Sequence, residues 1–148
     1  MVRRRFLIAA SLCSLAGCAA TPQVILPDPP DVRRTSLTTL LAANPLAEGE
    51  NIRAVVLSRT DALSYHLVQI RDREQPHIHA THDLAVTLVR GTGTLYIRGV
   101  GYAMRVGDVA VVPRGTVHYF VNDASGAAVA LVTFAPPYDG KDQVPTTP

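Results

Sequence analysis

The chain has 148 residues and a formal net charge of +2, from 14 basic and 12 acidic residues. Three of the basic residues, Arg3, Arg4 and Arg5, lie at the start, and without them the charge is −1. A nearly neutral chain lacks the positive surface that binds nucleic acid, so we expect no nucleic-acid partner. Both cysteines, Cys13 and Cys18, lie close to the start as well, so we expect no disulfide in the folded part.

Residues 1–17 have the pattern of a secretory signal peptide. The basic start is followed by an apolar run at residues 6–15. A membrane-spanning helix needs roughly 20 apolar residues, so this shorter run indicates a cleavable signal. Residues 3–7, Arg-Arg-Arg-Phe-Leu, also resemble a twin-arginine export signal. The sequence leaves both the general and the twin-arginine export routes open.

The signal ends in residues 15–18, Leu-Ala-Gly-Cys, which resemble a bacterial lipobox. The resemblance implies cleavage before Cys18 and a diacylglycerol on the Cys18 thiol. Each buried CH₂ of a lipid contributes about 0.8 kcal/mol, so several acyl chains anchor a protein durably to a membrane. Ala19 is not an aspartate, which by the same resemblance favours the outer membrane. We therefore expect a lipoprotein of the bacterial cell envelope that faces the periplasm.

Residues 18–34 predict a lipidated cysteine followed by a stiff tether. Four prolines, Pro22, Pro27, Pro29 and Pro30, occur within nine positions. Proline has no backbone N–H and favours extended conformations, so such a segment holds a domain away from a membrane.

A short helix begins the domain, which we place at residues 35–148. Three leucines within residues 37–41 have the i, i+3, i+4 spacing of one helix face. Ser36 can cap the first turn, and Asn44 followed by Pro45 ends the helix. We expect the leucine face to rest on the remainder of the domain.

After the helix, the periodicity becomes that of β-strands over a core of about residues 51–137. The segments are rich in Val, Leu, Ile, Thr and Tyr and are bounded by Gly, Asp, Asn and Pro. Eight short strands at regular spacing predict a closed barrel or sandwich, and roughly 95 residues suffice for one compact domain but not two. The predicted strands are residues 52–58, 63–71, 84–90, 93–98, 101–106, 108–112, 117–121 and 127–134.

The second half of the chain carries a motif of fixed spacing. Gly107, Pro113, Gly115, His118 and Asn122 follow the pattern G-x5-P-x-G-x2-H-x3-N. This pattern resembles the second conserved motif of the cupins. The resemblance implies an all-β, double-stranded β-helix (cupin or jelly-roll) barrel, with the short helix at its N-terminal side.

The first cupin motif is matched in part. His77 and His79 resemble its histidine pair, and Gly91 resembles its closing glycine. Counted back from Gly91, the glutamate of the motif falls on Leu84, with Asp83 beside it. Side chains alternate across a strand, so Asp83 reaches the same face only if a β-bulge turns it there.

The resemblance implies that the barrel holds one metal ion, and two ligand sets remain open. Two histidines separated by one residue on an extended segment point the same way, as His77 and His79 do. In the first set, these two and His118 bind the metal alone and leave positions for water and substrate. In the second, Asp83 or His82 completes the set. We expect three histidines, with Asp83 as the fourth candidate, and one divalent transition metal, either iron, manganese, zinc or nickel.

The function that follows is a mononuclear metal-binding domain for a small-molecule ligand. If the protein is an enzyme, the resemblance points to oxygenase, isomerase or decarboxylase chemistry, with Asp83, His82 or a tyrosine as the base. Tyr96 and Tyr119 are candidates to line the pocket, although packing roles are favoured for both, and His66 is expected to be structural. The alternative is a non-catalytic module of the cell envelope that binds a small molecule or a sugar. A homodimer is expected from the resemblance only.

Overall fold

A computed structural model describes residues 22–28 and 30–147. The predicted signal peptide and Cys18 lie outside the described residues. No helix in the described part of the chain is long and apolar enough to cross a membrane. The elements in chain order are β1 (Gln23–Asp28), β2 (Asp31–Ser36), α1 (Leu37–Ala43), β3 (Ile52–Arg59), β4 (Ser64–Ile70), β5 (His77–His79), β6 (Asp83–Arg90), β7 (Thr92–Ile97), β8 (Val100–Arg105), β9 (Val109–Val112), β10 (His118–Asn122), β11 (Ala128–Ala135) and β12 (Gln143–Pro145).

Two five-stranded antiparallel sheets form the barrel. One has the order β12-β5-β10-β7-β8, and the other has the order β3-β4-β11-β6-β9. Successive strands along the chain alternate between these sheets at several points, as they do in a jelly roll. The predicted all-β double-stranded β-helix with one short helix is confirmed.

Strand alternation decides which side chains face the interior. On β6, Leu84, Val86 and Leu88 line a central cavity, so the residues between them face the other side of the sheet. The turn from β7 to β8 shows the local chemistry of a tight hairpin, because Arg98 and Gly99 both have positive φ, at 50° and 78°. Two positive φ values are typical of a type I′ turn, whose twist matches that of the flanking strands.

Apolar side chains pack on both faces of the second sheet. Between the sheets, buried residues include Ile70, Leu95 and Phe120. On the outer face, Leu37 and Leu40 of α1 pack against Leu67 and Val129, whose side chains are almost fully buried. The helix therefore covers the barrel wall with its leucine face, as predicted.

The ends of α1 confirm the sequence interpretation. The Ser36 hydroxyl accepts a hydrogen bond from the Thr39 N–H at 3.1 Å, which satisfies one of the free donors of the first turn. The backbone N–H of Asn44 donates to the Leu41 carbonyl at the other end.

The segment predicted as an extended tether is folded over part of its length. Strands β1 and β2 form an antiparallel hairpin, in which Pro27 pairs with Val32. Leu26 is buried, and Val24 packs against the cluster beneath α1. A two-stranded hairpin consists of edge strands alone, and proline is tolerated on an edge because its missing N–H faces solvent. The prolines alone therefore did not show that this segment pairs with itself.

Candidate metal centre

Three buried histidines from two neighbouring strands converge inside the barrel. His77 and His79 lie on β5, and His118 lies on β10, where it pairs directly with His77. Ile78 lies between the first two, so both imidazoles face the same side of the strand. Each histidine offers a ring nitrogen, and these nitrogens all lie within 4.8 Å of one another. The structure thus brings together the three histidines that the motifs predict.

Backbone carbonyls fix the orientation of two of these rings. His77 Nδ1 lies 2.8 Å from the Gln75 carbonyl oxygen, and His118 Nδ1 lies 2.9 Å from the Thr116 carbonyl oxygen. A carbonyl only accepts hydrogen bonds, so each Nδ1 carries the proton and donates it. The Nε2 atom of each ring then remains as the nitrogen that can bind a metal. A ligating histidine is commonly held in this way through its other nitrogen.

The third ring, His79, has a different environment. Its Nδ1 is buried and has no hydrogen-bond partner. The nearest acid is Asp142, whose Oδ2 atom lies 3.9 Å from this nitrogen. That separation is too long for a hydrogen bond, but the carboxylate charge partly opposes the lowering of the His79 pKa. The Asp142 carboxylate thus lies on the Nδ1 side of the His79 ring.

The protonation state of the group suits a metal cation. Burial, followed by the neighbouring His77 and His118 charges, lowers the pKa of His79 to about 4. Burial also lowers the pKa of His118 to about 4, against the opposing effect of the Thr116 carbonyl. Both rings are therefore neutral at pH 7 and keep their lone pairs. Three buried and convergent imidazoles, two of them held neutral in this way, fit a divalent transition metal.

Asp83 is not part of this group. Its carboxylate accepts hydrogen bonds from the Arg114 backbone N–H at 2.9 Å and from the Arg114 guanidinium at 2.7 Å. These bonds, from the side chain first, lower the pKa of Asp83 to about 2. Along β6, Asp83 pairs in regular register with Ala135 and Leu84 with Phe134, so no bulge turns Asp83 inward. Leu84 occupies the position that faces the cavity.

His82 lies beside the centre and is held by the C-terminal tail. It is buried, and its Nδ1 lies 2.5 Å from the Asp142 Oδ2. The same carboxylate accepts from the backbone N–H groups of Ala80 and Thr81. Burial alone would raise the pKa of Asp142, but the hydrogen bonds from His82 and Thr81 outweigh it and lower this pKa to about 2. Sequence reasoning missed Asp142, because it lies 60 residues from His82 along the chain.

Strand pairing brings the tail, and with it the Asp142 carboxylate, to the histidine pair. Gln143 of β12 pairs with His79, and Pro145 pairs with His77. The strand β12 thus runs along the histidine pair, at the edge of the sheet.

The central cavity has a volume of about 250 Å³ and contains the three histidines in its wall. Glu74 is a further member that sequence reasoning missed. Its backbone N–H donates to the Phe120 carbonyl, and its Oε2 accepts the Phe120 N–H at 2.8 Å. Burial raises the pKa of Glu74, although His77 and the Phe120 N–H act in the opposite direction. In the sequence, its position three residues before the histidine pair was the signal that could have pointed to Glu74.

A different tyrosine from the two predicted candidates reaches the cavity. Tyr138 lines it and stacks on Phe134, with ring centroids 4.5 Å apart. Tyr96 and Tyr119 instead stack on each other at 4.6 Å and are absent from the cavity wall. His66 is buried and hydrogen-bonded to the Ser64 hydroxyl at 2.8 Å, which agrees with the structural role expected for it.

Sequence comparison relates these motifs to known proteins. The family model of the Cupin domain matches residues 65–134, which contain the three histidines. An uncharacterized protein of Aquifex aeolicus (strain VF5) is 43% identical over 95 residues, which amount to 64% of this chain and 78% of that protein.

Structural comparison finds the same architecture in other proteins. KdgF from Halomonas sp. is 25% identical, with a TM-score of 0.57 over 60% of this chain and 82% of that chain. Pac13 of Streptomyces, described as a nucleoside dehydratase, is 20% identical, with a TM-score of 0.55 over 65% of this chain and 78% of its own. The likeness to Pac13 concerns the fold.

Proposed function

This chain belongs to the cupin superfamily, and we propose that it binds one divalent transition metal through His77, His79 and His118 and acts on a small oxygen-bearing molecule. The observation that carries the proposal is the convergence of three buried imidazole nitrogens within 4.8 Å. Burying these polar rings side by side costs free energy unless each nitrogen has a partner. A bound cation supplies that partner.

The chemistry would take place in the cavity next to the histidines. A metal bound there supplies Lewis acidity or activation of oxygen, which suits an isomerase, a decarboxylase or an oxygenase. Glu74 can hold a proton, because burial raises its pKa. Tyr138 has a pKa raised by burial and then by Asp142, so its hydroxyl stays protonated and can donate a hydrogen bond. These two side chains are the proton-handling groups that we assign to the cavity wall.

Metal content tests the proposal directly. The chain from residue 19 onward, purified without a histidine tag, should carry one equivalent of iron, manganese, zinc or nickel. A His77→Ala, His79→Ala double variant should lose it, and His66→Ala, which removes a buried histidine outside the group, should keep it. A parent that takes up no metal after reconstitution, or a double variant that keeps its metal, would contradict the proposal.

A non-catalytic module that binds a small molecule or a sugar is the second candidate. The observation in its favour is that Leu84 fills the inward position where the family motif has a carboxylate. Retention of ligand binding after complete metal removal would support this candidate, whereas loss of binding would count against it.

We also infer from the sequence that the protein is a lipoprotein of the cell envelope, anchored through Cys18 and facing the periplasm. The lipobox resemblance at residues 15–18 supports this inference. The parent should incorporate labelled fatty acid in a bacterial host and partition into detergent. A Cys18→Ala variant that partitions equally well would contradict the anchor. The expected homodimer also remains a prediction, and light scattering of the purified domain would check it.

A further inference from the structure

The walls of the central cavity define the class of molecule that fits it. We propose that the ligand has an apolar body about the size of a substituted benzene ring and oxygen donors at one end. This proposal rests on the metal site proposed above, which the oxygen donors would bind. Sugars and sugar phosphates belong to a different chemical class and are excluded by this proposal.

The polar groups of the cavity lie together around the three histidines. Tyr138 has its ring 5.3 Å from the ring of His79, and Gln143 pairs with His79 across the β12–β5 ladder. Glu74 hydrogen-bonds Phe120 two residues beyond His118. A ligand therefore meets hydrogen-bonding partners at this end of the cavity.

The remainder of the wall is apolar. It is formed by side chains that pack on one another, such as Leu95, Met104 and Phe120, together with aliphatic residues of β4, β6 and β11. No lysine or arginine is found among the described residues that line the cavity. Apart from the proposed metal, a phosphate or a second carboxylate would have no cation to bind here. A sugar would bury several hydroxyls without partners, each at a cost of about 1–3 kcal/mol.

The size of the cavity limits the body of the ligand. An apolar protein cavity of about 150 Å³ binds benzene. The cavity here is about 250 Å³, so a benzene ring with a short oxygen-bearing substituent fits.

The entrance has the same character as the interior. Ile52 and Ala54 of β3 line the cavity and are exposed to solvent, with Ile52 at 37%. The cavity therefore opens along β3, and a ligand would enter past apolar side chains. An exposed apolar rim that leads to buried polar groups fits a ligand that is apolar over most of its surface.

Three hydroxamic acids with the same metal-binding head test the ligand class. The full chain, in detergent and loaded with the metal that it retains on purification, would be titrated calorimetrically with acetohydroxamate, benzohydroxamate and gluconohydroxamate. Benzohydroxamate should bind at least about ten-fold more tightly than acetohydroxamate, because its ring buries additional apolar surface. Gluconohydroxamate should bind no more tightly than acetohydroxamate.

Two variants separate the cavity from other surfaces. Ala130→Leu adds three carbons to the cavity wall and should reduce the preference for benzohydroxamate to within two-fold while leaving the metal content unchanged. Ala103→Leu makes the same change on the exposed strand β8 and should leave the preference intact. Tighter binding of gluconohydroxamate, or a preference that survives Ala130→Leu, would overturn the proposal.

Metal content is measured on the same samples. A protein that binds no metal is thereby distinguished from a protein that binds metal but not the proposed class of ligand. If no metal is found, toluene, which needs none, should still raise the melting temperature of the parent and not that of Ala130→Leu. The absence of any such shift in the parent would overturn the ligand class independently of the metal site.

Discussion

The Asp142→Asn substitution would show how much the C-terminal tail contributes to the centre. The Asp142 carboxylate, 10% exposed, accepts from His82 and from the backbone N–H groups of Ala80 and Thr81. These hydrogen bonds hold the C-terminal tail against the loop that follows the histidine pair. Asparagine keeps the size of the side chain but removes its charge, and its amide nitrogen does not accept hydrogen bonds.

The expected cost follows from the kind of bond that is lost. A hydrogen bond to a charged group contributes about 1.5–3 kcal/mol, and a neutral one about 0.5–1.5 kcal/mol. Each of the three hydrogen bonds to Asp142 therefore contributes roughly 1 kcal/mol less to stability in the variant. The two backbone donors lie in an exposed loop, where hydrogen bonds to water offset part of this loss. We expect the metal-free protein to lose about 2 kcal/mol of stability. Because Asp142 also places a negative charge 3.9 Å from His79 Nδ1, metal affinity should fall about ten-fold, the lower end of the losses seen when outer-shell partners of metal ligands are removed.

Urea unfolding of the metal-free protein and a metal titration measure these two effects. Asp139→Asn is the matched control, since Asp139 lies in the same tail but bonds only the nearby Lys141 N–H among the hydrogen bonds of the described residues. If Asp142→Asn and Asp139→Asn agree within about 0.5 kcal/mol in stability and two-fold in metal affinity, the reasoning about the tail is refuted.

Three further predictions concern the barrel. Burial lowers the pKa of His79 and of His118 from 6.5 to about 4. As the pH falls below 6.5, these two histidines are therefore protonated in the unfolded chain but not yet in the folded one, which favours unfolding. The metal-free protein should lose up to about 2 kcal/mol per histidine between pH 7 and pH 5, and an unchanged urea midpoint would contradict this. Gly93→Ala should cost about 3 kcal/mol or more in urea unfolding, because the added Cβ would overlap the Phe120 ring and the Val121 carbonyl oxygen. Gly126→Ala, with its nearest neighbour at 4.0 Å, should cost far less, and equal costs would refute the steric argument. Asp83→Asn should leave the metal content unchanged, since its carboxylate faces Arg114, and loss of the metal would identify Asp83 as a ligand.

The centre was predictable where strand periodicity and motif spacing act together. His77 and His79 are two residues apart on a strand, and His118 begins another, so their faces follow from the pleat. Asp83 was undecided, because its face depends on whether a bulge interrupts β6. The regular register of β6 and β11 at Asp83 decides this, and that register depends on tertiary pairing.

Asp142 and Glu74 were not predictable by the same reasoning. Asp142 reaches the centre because β12 pairs with β5, and a three-residue strand leaves too little periodicity to be recognised. Glu74 lies in the loop before β5, where its side chain accepts a backbone N–H that would otherwise belong to the sheet ladder. The N-terminal hairpin was missed for a related reason, since proline favours an extended chain whether or not that chain pairs.

The loss of a carboxylate from the inward position of β6 changes the charge of the centre. Leu84 contributes no charge, and the pKa values of about 4 keep His79 and His118 neutral at pH 7. A divalent metal held by neutral imidazoles keeps its two positive charges inside a largely apolar cavity, where electrostatic interactions are strong. The Asp142 carboxylate, 3.9 Å from His79 Nδ1, offsets part of this charge. An ionised oxygen on the bound molecule would offset more of it. The same substitution that removes a protein ligand therefore favours a ligand molecule with an acidic oxygen at the end of an apolar body.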